Sequence, residues 1–305
     1  MRKAIVTGAT GFIAKYLIEE LTSQGYEVWA IVRNEKSDVK NIAPFKPHIV
    51  YCDLNKIDRL IGENLIPVDT YECFYHLAWT GNSGEERGDY KIQLDTVKYT
   101  VQAAYIAKEL GCKKIVVSGS VTQLMYRDYL RQDCITPEIV TCYAVGRMAA
   151  ESFLKCLCPS IGIEYGWAYI ANIYGAGDKT NNFVNYLIQN YSKGITPELT
   201  PGEQLADFIY VSDVARGLRY LAERGKKNTS YYIGYGSPKP LKEFVEVIHR
   251  IIAPEIESGI GRKAFNGMDI AYDKIDYLKF NRETGFKANV AFDVGIRQVI
   301  DEKST

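Results

Sequence analysis

The sequence opens with a short apolar strand pattern, a loop with two glycines and a helical pattern, and this order constrains the fold more than any other feature. The segment is Ala4-Ile5-Val6-Thr7-Gly8-Ala9-Thr10-Gly11-Phe12-Ile13-Ala14. Its apolar run suits a central parallel strand, and the apolar residues after the loop recur with helical spacing. Gly8 and Gly11 lack a Cβ, so backbone N–H groups can approach a pyrophosphate at the positive end of the helix. The segment therefore predicts a dinucleotide site.

The glycine spacing is Gly-x-x-Gly-x-x-Ala, and Ala14 stands where a third glycine would let the helix pack closely on the strand. Alanine is small enough for that packing. Glycine turns between a strand and a helix are common, so a plain turn is the alternative for this segment taken alone. Its position at the head of a long alternation of strand and helix patterns favours the dinucleotide site.

Strand and helix patterns alternate along much of the chain. Strand patterns lie at residues 26–32, 48–52, 72–78, 114–117 and 164–170, and helical patterns lie at 90–110 and 143–157. Such alternation predicts an α/β fold, specifically a Rossmann-like, doubly wound parallel sheet with helices on both faces.

The regular alternation ends near Gly175, after which glycine and proline residues separate shorter elements. We predict an NAD(P)-binding Rossmann domain over residues 1–175 and a smaller C-terminal α/β substrate-binding portion over 176–305. The segment 205–235 contains a helical pattern at 213–224, and we expect it to pack back on the first domain.

Composition excludes several classes of function. Lys plus Arg (37) balance Asp plus Glu (37), so no overall charge attracts nucleic acid or a membrane surface. No segment has the run of about 18 apolar residues that a spanning helix needs. The seven cysteines form no repeating frame, and we interpret them as reduced thiols of a cytoplasmic protein. No metal site is predicted, because Cys156-x-Cys158 is too tight for zinc and the chain has three histidines.

Polar residues follow the strand patterns, where open parallel sheets bind their ligands. NAD-selective sites place a carboxylate after the second strand, whereas Arg33 stands here with Lys36 close behind. An arginine at this place suits a 2′-phosphate, which favours NADP(H) over NAD(H), with a solvated loop arginine as the alternative. Asp53 and Leu54 follow the third strand pattern and suit the adenine, although a plain turn aspartate explains Asp53 nearly as well. We interpret His76, at the end of the fourth, as a packed, hydrogen-bonded histidine.

A serine loop followed by a tyrosine helix indicates keto–alcohol redox chemistry. Ser118-Gly119-Ser120 follows a strand pattern, and Tyr143-x-x-x-Arg147 opens a helical pattern downstream. A phenol with an ordinary pKa near ~10 serves as an acid or base at neutral pH only where a nearby cation favours its phenolate. A residue four positions on lies on the same helix face. The same spacing occurs elsewhere in a chain with 23 tyrosines, so a surface tyrosine beside a helix arginine is the alternative.

These motifs follow one another in the order of a known enzyme family. The motifs are Thr7-Gly8-x-x-Gly11-x-x-Ala14, Asp53-Leu54, His76-Leu77-Ala78, Ser118-x-Ser120, Tyr143-x-x-x-Arg147, Asn172-Ile173-Tyr174-Gly175 and Asp207-Phe208-Ile209-Tyr210-Val211-x-Asp213. Over nearly its whole length the chain resembles the extended short-chain dehydrogenase/reductases, specifically the NAD-dependent epimerase/dehydratase family that modifies nucleotide sugars. Within that family it most resembles the CDP-abequose synthase type of reductase.

The resemblance implies roles for individual residues. It implies that Tyr143 is the acid/base at the sugar oxygen, that Ser120 hydrogen-bonds the same oxygen, and that Arg147 supports them. Implied cofactor contacts are Gly8, Thr10, Gly11, Phe12, Ile13, Arg33, Asp53, Leu54, Leu77, Ala78, Tyr143 and Arg147. Implied substrate contacts are Ser120, Asn172 and Phe183. The resemblance also suggests a homodimer through the helices near residues 90–110 and 143–157.

The chain departs from the family at four positions. Arg147 replaces a lysine, and an arginine keeps the charge but does not reproduce a compact ammonium group. Gly146 stands where a serine is frequent. Ala206 and Tyr169 replace two arginines, the first of which grips the substrate diphosphate. The changes at Ala206 and Tyr169 weaken the expectation of an ordinary nucleotide-sugar substrate.

The same residues discriminate among activities of the family. Val121 and Thr122 occupy the places of an Asp-Glu pair that the dehydratases need, which argues against a 4,6-dehydratase. Arg33 favours a reductase that consumes NADPH over an epimerase that retains NAD. The leading hypothesis is a cytoplasmic reductase of a nucleotide-linked 4-keto-6-deoxyhexose for surface polysaccharide synthesis. The alternatives are a nucleotide-sugar 4-epimerase and, because of Arg147 and Ala206, a cofactor-binding protein without catalysis.

Overall fold

The computed structural model describes residues 1–133, 136–265, 267 and 269–304, without the side chains of Asp128, Lys303 and Ser304. Cys134 lies outside the described residues. The strands are β1 Arg2–Thr7, β2 Tyr26–Val32, β3 His48–Tyr51, β4 Cys73–His76, β5 Lys114–Ser120, β6 Glu164–Ile170, β7 Asn172–Tyr174, β8 Leu205–Ala206, β9 Phe208–Tyr210, β10 Thr229–Ile233 and β11 Lys239–Pro240. The α-helices are α1 Phe12–Ser23, α2 Arg59–Gly62, α3 Tyr90–Glu109, α4 Val121–Tyr129, α5 Cys142–Ile161, α6 Phe183–Tyr191, α7 Val211–Arg224, α8 Leu241–Ile252, α9 Lys279–Thr284 and α10 Phe292–Ser304.

Seven strands form the main sheet in the order β10-β6-β5-β4-β1-β2-β3, and every neighbouring pair is parallel. The chain builds outward from β1 to β2 and β3 and then returns to β4 on the other side. The strand order therefore reverses between β1 and β4, which opens a crevice at their carboxyl ends. The predicted Rossmann-like α/β class is confirmed.

The central strand shows why the strand patterns are apolar throughout. Ala4 and Val6 join one core with residues of α1 and α7, whereas Ile5 joins the core on the opposite face with residues of α3 and α5. Because successive side chains point to opposite faces, a strand covered on both faces needs apolar residues at every position.

The C-terminal half contributes to the main sheet and also forms a smaller unit. Strand β10 lies beside β6, and α7 packs against α1, so part of the segment 205–235 belongs to the main sheet. A third apolar core lies among α6, α8, α10 and the short pairs β7-β9 and β8-β11.

Two details differ from the sequence pattern. Strand β5 extends through Ser120, so Ser118 and Ser120 lie on the strand and not on a loop. The reason is register, because Ser118 to Ser120 pair with Ala168 to Ile170 of β6. Helix α4, which the pattern did not predict, begins directly after this strand.

Within the described ranges no helix is long and apolar enough to cross a membrane. The same part of the chain brings no three His, Cys, Asp or Glu side chains together as a metal site requires. Cys52, Cys73, Cys112, Cys142, Cys156 and Cys158 are free. Burial raises the pKa of Cys52 to about 11 and that of Cys158 to about 12, which disfavours the thiolate, and both side chains belong to the apolar core.

Candidate active site

Two adjoining cavities of about 550 and 630 Å³ lie at the carboxyl ends of the strands. They share the lining residues Gly8, Gly11, Leu77 and Asn82. The first, here the nucleoside cavity, is also lined by the predicted residues Thr10, Arg33, Asp53, Leu54 and Ala78. The second, here the reaction cavity, is also lined by Phe12, Ile13, Ser120, Tyr143, Arg147, Asn172 and Phe183. The fold thus brings every residue predicted for the site into one cleft.

The glycine loop has the close backbone approach that a pyrophosphate requires. Gly8 has a φ of +66°, and a Cβ there would lie 3.0 Å from the Cα and N of Ala78. The N–H of Gly11 donates to the carbonyl of Gly8 (2.9 Å), which closes the turn. Helix α1 then begins at Phe12 without a side-chain cap. Its first N–H groups are therefore available to an anion in the cleft, and the loop fits the diphosphate of a dinucleotide.

A buried histidine ties this loop to the end of β4. Thr100 Oγ1 donates its single proton to the Thr96 carbonyl (2.8 Å). The same oxygen must therefore accept the hydrogen bond that it shares with His76 Nε2 (3.3 Å). Thr7 Oγ1 then donates to His76 Nδ1 (3.0 Å) and accepts from the Ala78 N–H (3.3 Å). Burial lowers the pKa of His76 to about 3, so the ring is neutral and holds one proton, as this pattern needs. The prediction of a packed, hydrogen-bonded histidine is confirmed.

In the nucleoside cavity, Arg33 follows β2 and is exposed, and Lys36 lines the same cavity. Asp53 follows β3, and its carboxylate accepts weakly from the Asn55 N–H (3.4 Å) at the start of the short 3₁₀ turn Leu54–Lys56. Asp53 therefore serves as a turn residue while it also lines the cavity. Arg33 and Lys36 place positive charge where the cavity meets solvent.

In the reaction cavity, Tyr143 and Arg147 lie one turn apart on α5 and are both buried. The Arg147 guanidinium stacks over Trp79, 4.0 Å from the ring centroid, and lies 5.2 Å from the centroid of Tyr143. Its Nη1 donates to the Ser118 carbonyl. Burial lowers the pKa of Arg147, and the neighbouring Tyr143 opposes this. Arg147 is thus a fixed cation beside Tyr143, held by its hydrogen bond to the Ser118 carbonyl and by its stacking on Trp79.

A second guanidinium, which the sequence motifs did not predict, also faces Tyr143. Arg87 belongs to the short 3₁₀ helix Gly84–Gly88, and its Cζ lies 4.5 Å from the Tyr143 ring centroid. It lines the same cavity as Ser120 and Arg147. The sequence did contain one signal for Arg87. The loop after β4 begins at the ligand-binding edge of the sheet, where a charged residue is a candidate for the site.

The departure at Gly146 has a packing reason. A Cβ there would lie 3.3 Å from Gln93 Cβ and 3.5 Å from Trp79 Cζ2. Gln93 accepts from Trp79 Nε1 (3.0 Å) and donates to the Gly81 carbonyl (2.7 Å), so it braces the loop after β4. The missing side chain lets α5 pack closely on this bracing pair, which in turn holds the aromatic face under Arg147.

Ser120 is held by the first turn of α4. Its hydroxyl donates to Thr122 Oγ1 (2.9 Å) and accepts from the Thr122 N–H (3.2 Å). The serine is therefore a helix cap that also lines the reaction cavity.

The far part of the reaction cavity carries the departure at Ala206. Asn172 donates to the Asp207 carbonyl (3.3 Å), and Phe183 stacks against Phe208. Ala206 lines the cavity with no charge to offer. The charged residues that the described lining contains are Arg87 and Arg147, already placed beside Tyr143, and the carboxylates of Asp178 and Asp269. Any diphosphate bound in the far part would rely on neutral groups.

Comparisons with known proteins agree with this architecture. The model of the NAD dependent epimerase/dehydratase family matches residues 4–234. The chain is 24% identical to CDP-abequose synthase of Salmonella typhimurium, over 97% of this chain and 96% of that protein. It is 25% identical to a putative UDP-glucose 4-epimerase of Methanocaldococcus jannaschii, over 97% of both. The fold matches the Bordetella bronchiseptica enzyme WbmF in complex with NADH (TM-score 0.79, 20% identity), over 99% of this chain and 92% of that chain.

Proposed function

The chain belongs to the NAD dependent epimerase/dehydratase family, and from this premise we propose that it is an NADP(H)-dependent reductase of a nucleotide-linked 4-keto-6-deoxyhexose. One observation carries the proposal. Ser120, Tyr143 and Arg147 line a single cavity that adjoins the glycine loop and the nucleoside cavity. A proton donor, a hydroxyl partner and a fixed cation therefore face the place where a dinucleotide and a sugar would meet.

Reduction of a ketone requires a hydride at carbon and a proton at oxygen. NADPH, when bound, would supply the hydride. Tyr143 donates its phenolic proton to the sugar oxygen, and the Ser120 hydroxyl, which donates to Thr122 Oγ1 in the structure, redirects its proton to hydrogen-bond that oxygen. The positively charged guanidinium groups of Arg147 and Arg87 stabilise the negative charge that remains on the Tyr143 oxygen. The loop from Gly8 to Ile13 would hold the cofactor diphosphate, so that the reacting groups would meet in a defined geometry.

The choice of a reductase over an epimerase depends on the cofactor. Arg33 and Lys36 line the nucleoside cavity and suit the 2′-phosphate of NADP(H), the form that reductases consume. Similarity to CDP-abequose synthase, and to a dTDP-4-dehydro-6-deoxyglucose reductase of Escherichia coli (22% identity over 97% of this chain), favours a 4-keto sugar substrate. Similarity to a putative UDP-glucose 4-epimerase keeps epimerisation with retained NAD as the second candidate. Free thiols are typical of cytoplasmic proteins, and we propose that the reductase is cytoplasmic. We also propose that it acts in surface polysaccharide synthesis.

Isotope transfer tests the function directly. Purified protein with NADPH carrying deuterium at nicotinamide C4, and with CDP- or dTDP-4-keto-6-deoxyglucose, is expected to yield a sugar with deuterium at C4. One NADP⁺ should form for each sugar reduced, as measured by mass spectrometry and absorbance. Interconversion of 4-epimers of a UDP-sugar without net cofactor consumption would instead establish the epimerase. Binding of NADPH with no conversion of any sugar would leave the non-catalytic alternative.

We also propose that the protein forms a homodimer through α3 and α5, which pack side by side. Both helices expose large apolar side chains, Leu94 and Tyr105 on α3 and Val145 and Phe153 on α5. An exposed apolar face of this kind favours association. The double change Leu94→Arg with Phe153→Asp should produce a monomer in sedimentation velocity. The matched control Val294→Asp, at another exposed apolar residue on α10, should remain dimeric; a wild-type monomer would contradict the proposal.

A further inference from the structure

A buried glutamine connects the Ser120 main chain to the neighbouring strand. Gln123 lies in the first turn of α4, and its Oε1 accepts from the Ser120 N–H (3.0 Å) and from Trp167 Nε1 (3.1 Å). Its Nε2 donates to Glu151 Oε2 (3.0 Å). The side chain is 1% exposed. Ser120-x-x-Gln123 has the form of a capping box, in which the glutamine returns a hydrogen bond to the cap residue.

Glu151, on α5, receives hydrogen bonds from three different elements. Its Oε1 accepts from the hydroxyls of Tyr169 on β6 (2.5 Å) and Ser230 on β10 (2.6 Å), and its Oε2 accepts from Gln123. Tyr169 is the residue that replaces a family arginine, and here it holds this carboxylate. The carboxylate is therefore fixed behind Gln123 by neighbours on two strands.

This arrangement permits one orientation of the Gln123 amide. A rotated amide would direct its NH₂ group at two N–H donors and its oxygen at a carboxylate, which is unfavourable at every contact. Space is equally restricted, because a Cβ on Gly119 would lie 2.2 Å from Trp167 Nε1 and 2.6 Å from Gln123 Oε1. The oxygen of Gln123 is thus held against the Ser120 N–H.

We propose that Gln123 and Glu151 are positioning residues for the reaction, which set the main chain of Ser120 and thereby the place of its hydroxyl in the reaction cavity. The role rests on the proposed function in one respect, namely that the Ser120 hydroxyl contacts the sugar oxygen. A helix cap alone would not need the second hydrogen bond to Trp167 or a carboxylate fixed behind the amide. The two residues therefore connect the catalytic strand β5 to α5, the helix that carries Tyr143.

An exchange of the two side chains tests the connection. Gln123→Glu places two carboxylates against each other and should lower kcat roughly 10- to 100-fold, the cost of a small misplacement at a reacting group. In Gln123→Glu with Glu151→Gln, the new carboxylate accepts from the Ser120 N–H, Trp167 and the new amide. The carbonyl oxygen of that amide then accepts from Tyr169 and Ser230. Because every hydrogen bond is restored, this double variant should recover kcat to within about threefold of wild type.

A second readout separates positioning from stability. Gln123→Leu should lower kcat but not the KM for NADPH, and in a Ser120→Ala background it should change the residual kcat by less than about twofold, because both changes act on one group. Gln298→Leu, at an exposed glutamine of α10, is the matched control. The proposal would be overturned if the effects of Gln123→Leu and Ser120→Ala on kcat were fully additive. It would also be overturned if Gln123→Glu with Glu151→Gln folded but did not recover activity.

A substrate-free measurement distinguishes this proposal from the proposed function. In ¹⁵N-labelled protein, the Ser120 amide and the Trp167 indole N–H should shift in Gln123→Leu and return in the exchanged double variant. The chain has three tryptophans, so the indole signals are simple to assign. Unchanged signals in Gln123→Leu would refute the positioning even if the enzyme reduces keto sugars. Absence of any turnover by wild type, with the expected shifts, would refute only the proposed reaction.

Discussion

Tyr143→Phe is expected to lower kcat for keto-sugar reduction roughly a thousandfold, within the range that loss of a general acid produces. The variant keeps the buried ring, and with it the edge-to-face contact with Trp79 (6.2 Å between centroids) and the positions of Arg87 and Arg147 on that ring. It loses only the hydroxyl that serves as the proton donor in the proposed reaction. Cofactor binding should therefore be nearly unchanged, and single-turnover kinetics with saturating NADPH measures the loss in the chemical step.

Tyr220→Phe is the matched control for this change. Tyr220 and Arg224 share the same i, i+4 spacing on α7, and the Arg224 guanidinium lies 4.3 Å from the Tyr220 ring centroid. This pair lies outside the reaction cavity, so the control should keep full activity. If Tyr143→Phe retained more than about a tenth of wild-type kcat, another group would have to supply the proton.

Arg33→Asp is expected to reverse the cofactor preference, with a change of about 100-fold or more in the ratio of kcat/KM for NADPH to that for NADH. If Arg33 binds the 2′-phosphate as proposed, the variant loses a charge-assisted hydrogen bond that contributes about 1.5–3 kcal/mol and adds repulsion from a carboxylate. A free energy near 3 kcal/mol corresponds to about a hundredfold. The new carboxylate also suits the ribose hydroxyls of NADH.

The exposed position of Arg33 makes this result interpretable, because the substitution removes no packing. Lys40→Asp makes the same change of charge on the same loop at an exposed residue outside the cavity lining, and it should leave the preference unchanged. Steady-state kinetics with both cofactors provides the measurement. A wild type that already prefers NADH, or a preference that Arg33→Asp does not alter, would exclude the 2′-phosphate contact and favour the epimerase.

The sequence predicted the strands best where local pattern and tertiary environment agree. The limits of β2 and β6 match their strand patterns, because both strands are covered on both faces and are apolar along nearly their whole length. The sequence pattern assigned Ser118 to Ser120 to a loop, and this prediction was wrong. Small polar residues suggest a loop, but pairing with β6 extends the strand through them. Helix α4 was missed although Ser120-x-x-Gln123 carries the signal of a helix start.

The sequence by itself determined the cofactor end of the cleft. The strand, the glycine loop and the first turn of α1 are contiguous in the chain, and their conformation depends on local requirements such as the positive φ of Gly8. Parallel topology then places the residues that follow each strand at one edge of the sheet. For this reason the sequence pattern alone predicts Arg33 and Asp53, which follow β2 and β3, for one cleft.

Only the tertiary structure decided how the reaction end is built. Arg147, which stands in place of the family lysine, donates to the Ser118 carbonyl and stacks on Trp79. Arg87 contacts the same tyrosine ring from a separate loop. Gln123 and Glu151 meet although they lie 28 positions apart in the sequence. Such contacts join side chains from elements far apart in the chain, and their geometry depends on how helices and strands pack. No local pattern records that packing, so the charge and hydrogen bonding around Tyr143 became visible only in the folded chain.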